Sequence, residues 1–146
     1  MKYLLAIFLL LLSGLANASQ AMSGRPALTA VEARDMFEAG KLTIVDIRRP
    51  EEWRGTGVAD GVVRINMLHP GGPKGFMDEL LRQVGGNKDA PIGLICRTGN
   101  RTSTVQRYLM SQGFSNVYNI REGMAGSGAG PGWLARGLPV DPCTRC

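Results

Sequence analysis

Pro91-Ile92-Gly93-Leu94-Ile95-Cys96-Arg97-Thr98-Gly99-Asn100-Arg101-Thr102 is an apolar run that stops at a cysteine and gives way to a polar loop. Four apolar residues in a row, led in by a proline, read as a strand buried on both faces. From Thr102 to Gly113 the spacing turns helical, through Val105, Tyr108, Leu109 and Met110. Strand, loop and helix in that order form the repeating unit of a parallel α/β sheet, where ligands bind at the carboxyl ends of the strands. Cys96 stands at such an end.

The same alternation continues outward. Upstream, Thr29-Ala-Val-Glu32 has the pattern of a capping box, and Val31, Met36 and Phe37 form an apolar stripe that stops at Gly40, a residue suited to a left-handed cap. Leu42 to Ile47 is a β-branched run expected to form a buried strand, and Pro50-Glu-Glu-Trp53 a short helical turn. Val62 to Met67 predicts another short strand. Gly75 to Val84 predicts a helix with Phe76, Leu80, Leu81 and Val84 on one face, and Asn116 to Ile120 a last strand. The fold class expected is α/β, with a largely parallel central sheet flanked by helices. Gly123 to Gly132, with five Gly and one Pro in ten residues, reads as a flexible surface loop. It does not read as a dinucleotide loop, because no convincing helix follows.

The chain has 146 residues, 44% hydrophobic and 20% charged, which fits one domain and excludes disordered and collagen-like chains. Leu4 to Leu12 is too short for a membrane span, which takes roughly 20 residues. With Lys2 before it and Ala16-Asn17-Ala18 after it, residues 1–18 read as a signal peptide, residues 19–27 as a linker, 28–140 as the domain and 141–146 as a tail. The expectation is an exported protein, periplasmic in a Gram-negative cell and secreted otherwise, with no stable membrane anchor once the signal is cut. Cleavage leaves 128 residues with a net charge of +4. That mild excess favours small anionic substrates. Nucleic acid is not an expected partner, since no Lys/Arg cluster with interleaved aromatics occurs.

Three cysteines cannot all pair within one exported chain. An oxidising compartment would join the close pair in Cys143-Thr-Arg-Cys146 and leave Cys96 over. Around Cys96, the amides of the loop and the start of the next helix favour an anion, either the thiolate or a substrate. Gly99 and Asn100 tolerate left-handed backbone. Arg97 and Arg101 add two guanidinium groups that could support a thiolate and bind an oxyanion.

These residues resemble a single-domain rhodanese, a sulfurtransferase. The resemblance is carried by Ile44-Val-Asp46-Ile-Arg48 with Pro50-Glu-Glu-Trp53, by the loop Cys96-Arg-Thr-Gly-Asn-Arg101-Thr102, and by Glu122-Gly-Met124, Trp133 and Gly137-Leu-Pro-Val140. It implies a five-stranded, mostly parallel sheet and a persulfide relay. Cys96 is then the nucleophile, and Arg97, Thr98, Gly99, Asn100, Arg101 and Thr102 hold the substrate. A small anionic sulfur donor such as thiosulfate, a thiophilic acceptor and a possible protein sulfur acceptor are the implied partners; no cofactor is. Four residues between Cys96 and Arg101 resemble the sulfur-handling loop rather than the five of the phosphatases and arsenate reductases. Two departures stand out. Val58-Ala-Asp-Gly61 replaces the family's His-x-Pro-Gly, and Gly126 to Gly132 is inserted between Met124 and Trp133, where it could cover the site.

Asp46 is expected to cap a turn or pair with Arg48. His69, the only histidine, sits in a His-Pro-Gly-Gly loop with no partners at zinc spacing, so no metal site is expected. Trp53 and Trp133 read as core or cleft wall. Cys143 and Cys146 read as a plain disulfide, with a thiol-disulfide activity as the alternative. A non-catalytic or sulfur-carrier module that binds a partner is the alternative for the whole domain, with a phosphatase or arsenate reductase ranked behind it.

Overall fold

The computed structural model describes residues 24–146. The expected signal peptide, residues 1–18, and residues 19–23 of the linker lie outside the described residues.

The first ten elements in chain order are β1 (Ala27–Leu28), α1 (Ala30–Glu38), β2 (Thr43–Asp46), α2 (Pro50–Thr56), β3 (Val58–Ala59), β4 (Val63–Arg64), α3 (Gly72–Gln83), β5 (Ile92–Ile95), α4 (Asn100–Ser111) and β6 (Val117–Ile120). A short α5 (Gly132–Ala135) and β7 (Val140–Asp141) close the domain. Five strands form one sheet in the order β1-β6-β5-β2-β4, and every neighbouring pair in it is parallel. β3 and β7 pair antiparallel in a separate ribbon.

β5 and the middle of β2 are apolar because each face is covered. On one face Val45, Ile92 and Leu94 meet Phe76 and Leu80 of α3 and Val105 and Leu109 of α4. On the other, Ile44, Ile95 and Ile120 meet Ala30 and Ala33 of α1 and Trp133 of α5. Fully burying a side chain such as Leu80 or Ile95 contributes about 1.5–3 kcal/mol, so these layers fix the strand ends from which the loops spring.

Local signals account for most boundaries. Thr29 and Glu32 make the reciprocal bonds of a capping box at 3.2 and 2.8 Å, and Gly40 has φ +68°. The stripe of α1 is rotated from the expected one. Val31 is exposed, and the inward face is Ala30 and Ala33, with Met36 and Phe37 packed partly against the core. α3 begins at Gly72 and α4 at Asn100, each earlier than expected, because their first turns are polar and carry no apolar periodicity. The strand expected over Val62 to Met67 shrinks to two residues at the sheet edge. β1 takes in Ala27, inside the stretch read as linker.

The stretch 123–132 is built rather than loose. The Glu122 carboxylate, 1% exposed, accepts from Arg136 at 2.6 and 2.7 Å and from the Gly132 amide at 3.0 Å. Ser127 and Gly130 bond each other's backbone, and the Ser127 hydroxyl donates to the Arg121 carbonyl at 2.8 Å. The pair with Arg136 keeps the Glu122 carboxyl below its ordinary range, with the Gly132 amide assisting. A loop rich in glycine is therefore held by one buried acid and its partner, a long-range contact that composition does not reveal.

Candidate active site

Cys96 follows β5 directly and is fully buried. Its sulfur accepts a hydrogen bond from the Gly99 amide at 3.2 Å and lies 3.6 Å from the Thr102 hydroxyl. Gly99 has φ +83°, and a Cβ there would overlap the Arg121 carbonyl. Only glycine lets the chain reverse at this point and aim an amide back at the sulfur. α4 starts at the next residue, so the unpaired amides of its first turn open on the same loop.

The loop is clamped from behind. The amides of Met124 and Ala125 donate to the carbonyls of Cys96 and Arg97 at 2.8 and 2.9 Å. That approach needs Gly123, whose Cβ would strike the Arg97 carbonyl. Buried Asn119, on β6, donates to the Gly99 carbonyl at 3.1 Å and accepts from the Thr102 hydroxyl at 2.7 Å. Asn119 was not among the expected site residues. Its signal was a lone amide within an apolar strand, which needs a polar partner when buried.

The two arginines differ. Arg97 is exposed and lines a cleft of about 230 Å³ with Arg48, Glu52, Gly55, Thr56, Met124, Ala125 and Leu134. Arg101 is engaged by Glu52 of α2 through two bonds of 2.7 and 2.6 Å. These bonds, ahead of the weaker attraction of Cys96, raise the Arg101 guanidinium above its ordinary value; in return they hold the Glu52 carboxyl down at about 2. Of the two guanidinium groups expected beside Cys96, Arg97 thus faces the cleft while Arg101 is paired with Glu52. Glu52 went unnoticed because its local pattern, three residues after Arg49, signals only a helix cap, and it does accept from the Arg49 amide at 3.0 Å.

Thr98, Gly99 and Asn100 line a second cleft on the other side of the loop, with Ser127, Gly128 and Ala129 of the inserted stretch as its far wall. Asp46 both accepts from the Arg48 amide and pairs with the Arg48 guanidinium at 2.6 Å, and both side chains are buried. Arg48 also donates to the Thr56 hydroxyl and the Gly57 carbonyl, fixing α2 and with it Glu52. His69 lies away from these groups, with Nε2 3.1 Å from Glu79 and Nδ1 accepting from the Gly71 amide. Trp53 and Trp133 are buried. Among the described residues no group of three or more His, Cys, Asp or Glu could hold a metal ion.

Residues 29–128 match the model of the rhodanese-like domain. The chain belongs to the rhodanese-like domain family. An uncharacterized protein of Rickettsia prowazekii is 31% identical to this rhodanese-like chain over 98 residues, 66% of the chain and 80% of the relative. A crystal structure from M. tuberculosis, that of Rv0390, superposes with a TM-score of 0.66 at 28% identity, covering 83% of this rhodanese-like chain and 100% of the other. The solution structure of a polysulfide-sulfur transferase homodimer from Wolinella succinogenes does so with a TM-score of 0.60 at 25% identity, covering 82% and 80%. These likenesses support a sulfurtransferase-type fold for the rhodanese-like chain.

Proposed function

We propose that the protein is a sulfurtransferase that carries a sulfane sulfur on Cys96 from thiosulfate, or a similar anionic donor, to a thiophilic acceptor. The observation that carries this reading is the Gly99 amide 3.2 Å from the Cys96 sulfur, in a loop that also receives the start of α4. A sulfur held there as a thiolate is a nucleophile without an adjacent base. Attack on the outer sulfur of thiosulfate breaks the donor's S–S bond, releases sulfite and leaves Cys96 with a persulfide. A thiophile such as cyanide then takes the outer sulfur and restores the thiolate.

The surrounding residues divide the work. Arg97, exposed beside the cleft, offers a mobile positive charge to a dianionic donor, while Arg101 is spoken for by Glu52 and braces the loop. The Thr102 hydroxyl has a single proton, which can serve Asn119 when Cys96 is a thiol and turn to the sulfur when it is a thiolate. The similarity to a polysulfide-sulfur transferase supports the same class of donor. The sequence of residues 1–18, which reads as a signal peptide, supports an exported location for this chemistry.

The test is steady-state turnover of thiosulfate and cyanide, read as thiocyanate, for the wild type and C96S. The reading requires turnover in the wild type and its loss in C96S with an unchanged circular dichroism spectrum. Equal rates in both would end it.

A further inference from the structure

Cys143 and Cys146 are placed by contacts that a plain terminal crosslink does not require. β7 pairs with β3 and anchors the chain at Asp141 against the corner that follows α2. Beyond it the two sulfurs lie together, with their Cα atoms 5.5 Å apart. Arg64, at the end of β4, points Nη1 at both, 2.5 Å from Cys143 Sγ and 2.6 Å from Cys146 Sγ. The same guanidinium sits 5.8 Å from the centre of the Trp53 ring, which holds it in place. A positive charge aimed at both sulfurs favours their thiolates, and a disulfide whose reduced form is stabilised is more readily opened. Both cysteines are also only partly buried. A bridge between residues three apart constrains the unfolded chain less than a longer one would, so stabilisation alone is a weak reason for it.

Their position relative to Cys96 gives the pair a task. Arg64 is in register with Asp46, and Asp46 with Ile95, the residue before Cys96. The Arg64 backbone therefore lies two strands from β5, roughly 10 Å across the sheet, at the strand end that carries Cys96, and its guanidinium reaches on to the tail sulfurs. Gly55 and Thr56 wall both the cleft beside Arg97 and the depression that contains Cys143. Residues 142–146, extended, span up to roughly 17 Å.

We propose that Cys143 and Cys146, held by Arg64, form a redox-active pair that removes the sulfane sulfur from Cys96 of the same chain and releases it as hydrogen sulfide. This rests on the persulfide reading above. One tail thiolate attacks the outer sulfur of the Cys96 persulfide, the persulfide S–S bond breaks, and Cys96 leaves as a thiolate. The second tail cysteine attacks the sulfur of the first, expels hydrosulfide and closes the Cys143–Cys146 disulfide. The sulfane sulfur gains two electrons and the two tail thiols lose them; their protons end on sulfide and Cys96. An external dithiol reduces the pair again and is oxidised in turn.

The experiment is a single turnover with the full chain, reduced with dithiothreitol, desalted without air and given one equivalent of thiosulfate. Sulfide is measured, and the protein is alkylated and mapped. The proposal expects close to one sulfide per chain, a linked and unalkylated tail peptide, a free Cys96 and a rate independent of protein concentration. The C143S/C146S double variant should instead retain one added sulfur on Cys96. A wild type that keeps the Cys96 persulfide while both tail thiols alkylate would overturn the proposal and leave the persulfide reading standing. A rate rising with protein concentration would overturn the transfer within one chain, and failure of both proteins to acquire sulfur would overturn the two readings together. R64A should need several-fold more dithiol to reach half reduction of the pair; an unchanged midpoint would remove Arg64 from the proposal.

Discussion

Glu52 and Arg101 meet through two parallel hydrogen bonds of 2.7 and 2.6 Å, joining α2 to the first turn of α4 across 49 residues of sequence. The pair couples the helix after β2 to the loop that holds Cys96, and it makes the stability of that loop depend on pH. Glu52 has a depressed folded value, about 2 against an ordinary 4.5, chiefly because Arg101 donates to its ionised form. The stabilisation is therefore complete above about 4.5 and fades as the pH falls through about 2. After allowance for solvent screening it amounts to roughly 1–2 kcal/mol. E52Q should unfold at lower denaturant than the wild type at pH 7 and close part of that gap at pH 2.5, as measured by urea titration. A gap independent of pH would show that the charge of Glu52 is not what matters.

Arg97 and Arg101 should separate kinetically. R97A removes an exposed charge and is expected to raise KM for thiosulfate several-fold, with a weaker dependence of kcat/KM on salt. R101A strands the Glu52 carboxylate and loosens the loop, so kcat should fall as well. Initial rates across ionic strength distinguish them, and identical profiles for the two variants would contradict the division of roles.

Gly99 tests the loop itself. G99A forces a side chain into a backbone with φ +83° and against the Arg121 carbonyl. A cost of about 1–3 kcal/mol is expected, along with faster alkylation of Cys96 as the sulfur loses its cover. A stable G99A with unchanged alkylation would mean that the turn is not constrained in this way.

Glu122 should govern the inserted stretch. E122Q weakens the two bonds from Arg136, so a broad-specificity protease is expected to cut within residues 126–131 several-fold faster than in the wild type. Equal rates would mean that the glycine-rich turns hold without the acid.

What the sequence made legible follows the range of the forces involved. β2 and β5 were readable because burial on both faces demands β-branched and apolar runs, and the α1 start because Thr29 and Glu32 satisfy each other locally. The place of Cys96 and the turn at Gly99 were readable because an apolar run stops at the one and a left-handed backbone demands the other. Glu52, Asn119 and the Glu122–Arg136 pair were not. Each acts through a partner 14 to 49 residues away, and a charged or amide residue looks the same in sequence whether it faces water or a buried partner. β3, β7 and α5 are too short to impose a period. Arg64, within the strand expected over Val62 to Met67, carries no signal of its own in the sequence, yet it reaches both tail sulfurs.

The central claim is that Cys96 takes up one sulfur atom. Its most direct test is intact mass after brief treatment with thiosulfate and desalting, on protein whose Cys143–Cys146 pair is left oxidised so that a persulfide cannot be discharged. The account predicts a gain of a single sulfur, mapped to the peptide containing Cys96, removed by cyanide and absent from C96S. An unchanged mass, or a sulfur carried elsewhere on the chain, would contradict it.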